Sequence, residues 1–203
     1  STLIHEEVID ELASLAGVGE QVAQMTREAM QGQRPFAQSL RRRVALLAGL
    51  PVSSLDEVRN RLTLTKGAET LIHWAHSVGA EFGVVSGGFT EVLAPLAREL
   101  GVDHLAANQL EVKGDRLTGR VLGPIVDAEA KVRWARQWSH DNLAAAIAVG
   151  DGANDLPLLS AAGMGVAFRA KATVREAAPS YLDLADLSGV VGLAGGSPTS
   201  NQR

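Results

Sequence analysis

Gly150-Asp151-Gly152-Ala153-Asn154-Asp155 is the stretch that decides the fold. The apolar run Leu143 to Val149 before it reads as a buried parallel strand ending at Gly150. Leu156 to Gly163 after it reads as a helix closed by glycine. Two carboxylates and an amide therefore stand on a tight turn at the C-terminal end of a strand. Ligands of open α/β sheets bind at that position. Carboxylate oxygens there suit a hard cation such as Mg2+, which keeps several waters and leans on substrate phosphate. Gly-Asp-Gly by itself also suits an ordinary turn, so the rest of the chain has to choose between the two readings.

Working outward, strands alternate with helices from about residue 64. A helix over 67–78 precedes a strand at 81–85 that runs into Ser86-Gly87-Gly88. A helix over 89–100 follows, and Lys113-Gly114-Asp115 joins two segments with a hairpin signature. A helix over 128–139 leads to the strand at 143–149, and 164–168 and 181–184 read as short strands. The alternation indicates βαβ units and a parallel sheet. Residues before 64 carry only helical periodicity, in four segments. Pro35 opens the third of these, and Ser54-Leu55-Asp56-Glu57 reads as a capping box for the fourth. We expect a helical cap over 5–63, an α/β core from 1–4 plus 64–193, and a flexible tail over 194–203.

Composition narrows the function. The chain has 203 residues, 46% of them apolar, with a net charge of −4. That supports a sizeable core and argues against a general nucleic-acid binder. The absence of cysteine excludes disulfides, zinc-thiolate sites and a thiol nucleophile. No apolar run approaches a membrane span and no signal peptide is visible, so the cytoplasm is the default compartment. The five histidines show no ligand spacing, and the three tryptophans sit at helical positions that suit packing.

Three elements that handle phosphate follow in order. Ser86-Gly87-Gly88 ends a strand and opens a helix, where backbone N–H groups approach an anion closely and the helix terminus favours negative charge. Lys131 lies near the start of a helix, against the local dipole, which is easier to understand beside an anion. Asp151, Asn154 and Asp155 form the third element. Phosphoryl transfer needs charge stabilisation, a metal and positioning more than elaborate covalent chemistry. The spacings, about 45 and 20 residues, fit successive βαβ crossovers.

These motifs resemble motifs two, three and four of the haloacid dehalogenase superfamily. The likeness to its phosphoserine phosphatase family runs from Ser1 to about Val191, through Glu28-Ala29-Met30, Phe36 to Val44, Ser86 to Phe89, Leu117-Thr118-Gly119 and Gly150 to Asp155. The resemblance implies a HAD-like Rossmannoid core with a four-helix cap of the C1 type. It implies that Asp151 coordinates Mg2+, that Ser86 and Gly87 bind phosphate oxygens, and that Lys131 neutralises the nucleophile and the transferring group. Asn154 would contact phosphate, and Asp155 would support the site from behind. Glu7, Met30, Phe36 and Arg43 match the positions that recognise substrate. A carboxylate such as Glu7 suits an ammonium, and an arginine such as Arg43 suits a carboxylate.

The implied reaction is Mg2+-dependent hydrolysis of O-phospho-L-serine in serine biosynthesis. Another small phosphate such as phosphohomoserine, a phosphotransferase, or a pseudophosphatase that only binds would share the core motifs. The family's first motif, Asp-x-Asp-x-Thr, carries the nucleophile and the acid/base group. Ser1-Thr2-Leu3-Ile4 aligns immediately after its second Asp, so neither aspartate is in this chain. The expectation is that the parent protein continues upstream, with room for a regulatory domain and for a homodimer. The chain as written, lacking a central strand, is expected to bind Mg2+ poorly, to be inactive and not to fold stably alone.

Overall fold

The structure, a computed structural model, describes residues 1–30 and 35–196, and the side chains of 28–30 fall outside the description. Four helices come first: α1 (Val8–Leu15), α2 (Gly19–Met30), α3 (Phe36–Ala45) and α4 (Ser53–Arg59). After α5 (Ala68–Ser77) the chain alternates through β1 (Gly83–Phe89), α6 (Thr90–Glu99), β2 (His104–Lys113), β3 (Arg116–Leu122) and α7 (Ala128–Trp138). It closes with β4 (Ile147–Gly150), α8 (Leu156–Ala161), β5 (Met164–Phe168), α9 (Ala172–Ala177), β6 (Ser180–Leu182) and α10 (Gly189–Leu193).

The strands form two three-stranded sheets, ordered β1-β2-β3 and β4-β5-β6. β1 runs parallel to β2, β2 and β3 make the expected hairpin, and β4, β5 and β6 are parallel throughout. Among the described residues, β1 and β4 each keep one edge without a ladder partner. Apolar side chains cross between the sheets. Val85 of β1 packs into the cluster built on Ala148, Leu159 and Ala167, and Phe82 and Val149 both pack beside Phe168 and Val190.

The amphipathic helices bury one face each, as their spacing dictates. Val8, Leu12, Leu40, Val44 and Val58 from α1, α3 and α4 share one core with Phe89, Val92, Leu110 and Leu117. Backbone bonds join the same two regions. The Gly49 N–H donates to the Leu117 carbonyl at 2.8 Å, and the Leu117 N–H donates to the Leu50 carbonyl at 2.9 Å. The hairpin thus packs with the leading helices.

Five sequence readings change. Ser86–Gly88 does not end its strand but turns off the ladder inside β1, which runs on to Phe89. The helix after Asp155 ends at Ala161 with Ala162 extended, so Gly163 is not its left-handed cap. Leu143–Ala145 is a single 3-10 turn, and the strand begins at Ile147. The capping box at Ser54 is not formed, because α4 starts at Ser53 and its N-cap, Val52, has helical dihedrals and no side-chain bond. The strand at 181–184 shortens to Ser180–Leu182. The end of the expected tail, 197–203, lies outside the described residues.

Candidate active site

β4 ends at Gly150 and the chain turns through a 3-10 segment, Ala153–Asp155, into α8. The turn folds Asp155 back under its own strand. Its Oδ2 accepts from the N–H groups of Asp151 (3.1 Å) and Gly152 (3.0 Å). A Cβ at position 150 would lie 2.5 Å from the Asp155 Cβ, so only glycine allows this return. The other oxygen, Oδ1, accepts from Lys131 Nζ at 2.5 Å. Both partners are buried, Lys131 at 7% and Asp155 at 8% exposure. A buried ammonium needs a charged, hydrogen-bonded partner, and this carboxylate also satisfies two orphan N–H groups. The anion that explains Lys131 against the α7 dipole is therefore, in part, Asp155. Asp127 caps that helix by accepting from the Ala130 N–H at 2.8 Å.

Asp151 projects from the same turn and stays partly exposed. Its Oδ1 accepts from the Thr2 hydroxyl at 2.6 Å, and its Oδ2 accepts from the Ser1 ammonium at 3.1 Å. The Ser1 ammonium also lies 3.2 Å from Glu7 Oε1. Glu7 of the leading helices and Asp151 of the core thus meet at the same residue, Ser1, whose hydroxyl also donates to Glu7 Oε1 at 2.9 Å. Asn154 is exposed and folds over Gly152, where an added Cβ would collide with its Oδ1.

The Ser86–Gly88 turn forms the opposite wall. β1 leaves its register with β2 after Val85 and regains it at Phe89 opposite Asn108. The Ser86 Oγ accepts from the Gly88 N–H at 3.0 Å. Asn108, only 1% exposed, donates from Nδ2 to the Gly87 carbonyl at 2.9 Å and accepts at Oδ1 from the Val126 N–H at 2.9 Å. Sequence reasoning missed Asn108. Its one signal is an amide directly after the apolar run Leu105–Ala107 in a strand, where asparagine is disfavoured.

From the leading helices, the Phe36 ring comes down over Gly87, its Cζ 3.4 Å from where a Cβ would stand. Arg43 is buried at 7% exposure, and its described partners are neutral: Thr26 Oγ1 at 3.2 Å and the Ser39 carbonyl at 3.4 Å. The nearby Ser39 Oγ is buried without a partner. Burial pushes the Arg43 guanidinium below its usual value, and the charges of Asp10 and Glu7 oppose that shift. Met30 lies outside the described side chains. The structure therefore joins Lys131, Asp155 and Asp151 directly, Glu7 to Asp151 through Ser1, and Phe36 to Gly87.

The fit of a metal follows from the donors. Asp151 offers hard, partly exposed carboxylate oxygen at a strand end. Among the described residues no group of three or more His, Asp or Glu could hold a metal alone. Mg2+ suits that situation, because it takes few protein ligands and completes its shell with water and phosphate.

A glycine-hydroxyl turn, a buried lysine and a strand-end aspartate, in this order along the chain, define the class. The chain belongs to the haloacid dehalogenase-like hydrolases: one model of that family matches residues 1–160 and a second matches 134–192. Within the class its relatives are phosphoserine phosphatases. The chain is 47% identical over 190 residues to the phosphoserine phosphatase of Lactococcus lactis, covering 92% of this chain and 88% of that one. It is 50% identical over 198 residues to that of Streptomyces coelicolor, covering 96% of this chain and 48% of the relative. The chain thus spans nearly all of one relative and about half of the other. Among solved structures, a substrate-bound phosphoserine phosphatase complex matches with TM-score 0.86 and 40% identity, over 95% of this chain and 93% of that one. No helix among the described residues is long and apolar enough to cross a membrane.

Proposed function

We propose that this chain forms the working core of an enzyme that hydrolyses O-phospho-L-serine to L-serine and phosphate in serine biosynthesis. One observation carries the reading. The Phe36 ring lies over Gly87, so residues suited to an amino acid (Glu7, Arg43) overhang residues suited to a phosphate (Ser86, Gly87, Asn154, Lys131). Residues 5–63 act as the cap, and 1–4 with 64–193 act as the core.

The Ser86 hydroxyl and the N–H groups of the turn would bind the equatorial phosphate oxygens. Lys131, held by Asp155, would stabilise charge as the phosphoryl group moves. Asp151 would hold Mg2+, which neutralises phosphate charge when bound. Arg43 would take the substrate carboxylate bidentately, and Glu7 its ammonium. Phe36, with Met30, would exclude water over the ester.

The attacking carboxylate comes from neither aspartate of the turn. Asp155 is engaged by Lys131 and two N–H groups, and Asp151 serves the metal. We place the nucleophile on a further strand seated between β1 and β4, where it would satisfy the unpaired edge of each. Its oxygen would bond to phosphorus while the ester bond breaks, and the serine oxygen leaves with a proton. Water then cleaves the aspartyl-phosphate.

The test is phosphate release from O-phospho-L-serine by the full-length natural protein, with and without Mg2+. Rapid turnover of another phosphomonoester, with phosphoserine untouched, would sink the substrate assignment.

A further inference from the structure

Between Val85 and Phe89 the strand β1 gives up its ladder with β2, so the backbone of the phosphate turn needs another anchor. That anchor is a side chain. Asn108 Nδ2 takes the Gly87 carbonyl at 2.9 Å, at the point where the ladder fails. The assignment of its amide is fixed by its neighbours, since a carbonyl accepts and the Val126 N–H donates.

We propose that Asn108 is a positioning residue that holds the Gly87–Gly88 peptide in the orientation phosphate requires and ties it to the helix bearing Lys131. The proposal rests on the phosphatase reading of the site. In a planar trans peptide the carbonyl and the N–H point in opposite directions. Holding the Gly87 carbonyl towards Asn108 therefore directs the Gly88 N–H the other way, where it lies 3.0 Å from the Ser86 Oγ. The two glycines flanking this peptide make rotation cheap. A rotated peptide would aim a carbonyl oxygen at the anion in place of a donor.

The second half of the Asn108 amide reaches the other wall. Its Oδ1 accepts from the Val126 N–H, one residue before Asp127, the cap of α7. The Lys131 N–H donates to the Asp127 carbonyl at 3.0 Å. A single buried amide thus sets the phosphate turn and the base of the lysine helix in one frame. The Thr90 hydroxyl donates to the Asn108 main-chain carbonyl at 3.2 Å and takes no part in either bond of the side-chain amide.

Asn108→Asp in the full-length protein separates the two halves. The carboxylate still accepts from Val126 but cannot donate to Gly87. Affinity for inorganic phosphate, and kcat/KM for a generic aryl phosphate, should fall by about tenfold or more. As pH falls, the introduced acid regains a proton to donate, so the ratio of variant to parent activity should rise. A pH-independent ratio, or parent-like phosphate affinity, overturns the proposal. Thr90→Val removes a neighbouring bond without touching the turn and should keep parent-like phosphate affinity. Equal loss in both variants reduces Asn108 to general packing and also overturns it. The unmodified protein gives a reading that needs no variant to fold. Inorganic phosphate should slow amide hydrogen exchange at Gly88 and Val126 together. Protection at Gly88 alone refutes the coupling while leaving the phosphatase reading intact. Absence of any phosphate binding by the parent removes both.

Discussion

Lys131 and Arg43 are both buried cations, each 7% exposed, yet they are satisfied in different ways. Lys131 has a carboxylate at 2.5 Å supplied by its own chain, and that carboxylate is itself fixed by two backbone N–H groups. Arg43 has, among the described residues, only a hydroxyl and a carbonyl. The core wall thus carries its own hydrogen-bonded counter-charge, whereas Arg43, on the leading helices, is desolvated with the charges of Asp10 and Glu7 nearby but no carboxylate bonded to it among the described residues. Completed charges keep geometry constant through a reaction. Incomplete ones make binding of the right partner worth more, because the partner relieves a standing cost.

The widest separation between the two walls should come from removing each cation. Lys131→Ala should lower kcat on the order of a hundred-fold or more. It should also destabilise the fold by roughly 3–5 kcal/mol, because Asp155 is left buried and unpaired. Both are read from steady-state kinetics and urea unfolding, and a near-normal rate would remove Lys131 from the chemistry. Arg43→Ala should do the reverse for stability, leaving it unchanged or raised. It should raise KM for phosphoserine by about tenfold to a hundred-fold, a charge-assisted bond being worth roughly 1.5–3 kcal/mol. Turnover of an aryl phosphate should hardly change, and equal loss on both substrates would take Arg43 out of substrate recognition.

Gly150→Ala probes how the core wall is held. The new methyl meets Asp155 at 2.5 Å, so either the strand end or the aspartate must shift, at a cost of about 1–3 kcal/mol. Activity should fall with it, since Asp155 carries Lys131. A fully active, fully stable variant would show that the return of Asp155 is not needed.

The smallest effect belongs to the seam between the walls, at Glu91 in the first turn of α6. Its Oε1 accepts from the Leu110 N–H at 3.0 Å while Oε2 is buried without a partner. Burial raises its pKa, and the hydrogen bonds from backbone N–H groups only partly oppose this. The folded value lies above the unfolded one, so the native state holds the proton more tightly. Its contribution to stability is fully present below the unfolded value and is lost as pH rises through the folded one. Glu91→Gln should therefore gain on the parent as pH rises from 4 to 7, by on the order of 1 kcal/mol in urea unfolding. A parallel pH dependence of the two proteins would count against it.

The Gly150–Asp155 turn was legible because local signals agree there: an apolar strand, glycines, then a helix. Lys131 was legible as an anomaly, a cation against a helix dipole. Its partner was not, since Asp155 lies 24 residues away and reaches it only through the fold. Asn108 was hidden for the same reason, because its task depends on β2 lying beside β1. The failed capping box at Ser54 is a tertiary override. The Val52 N–H donates to the Asp115 carbonyl at 2.8 Å, and the hairpin fixes how the chain enters α4. Helices α9 and α10, of six and five residues, are too short to carry a periodic signal.

The two sheets share no ladder among the described residues, and each is drawn from its own continuous stretch of chain, 83–122 and 147–182. Backbone bonds therefore do not couple them directly, and the strand proposed between β1 and β4 would be what joins them. Packed side chains and the Lys131–Asp155 bond run across the boundary, with α7 lying against both β1 and α8. In native-state hydrogen exchange the ion pair should set how strongly opening of one stretch is felt by the other. The residue proposed to face the phosphate is then also a mechanical link between the two sheets.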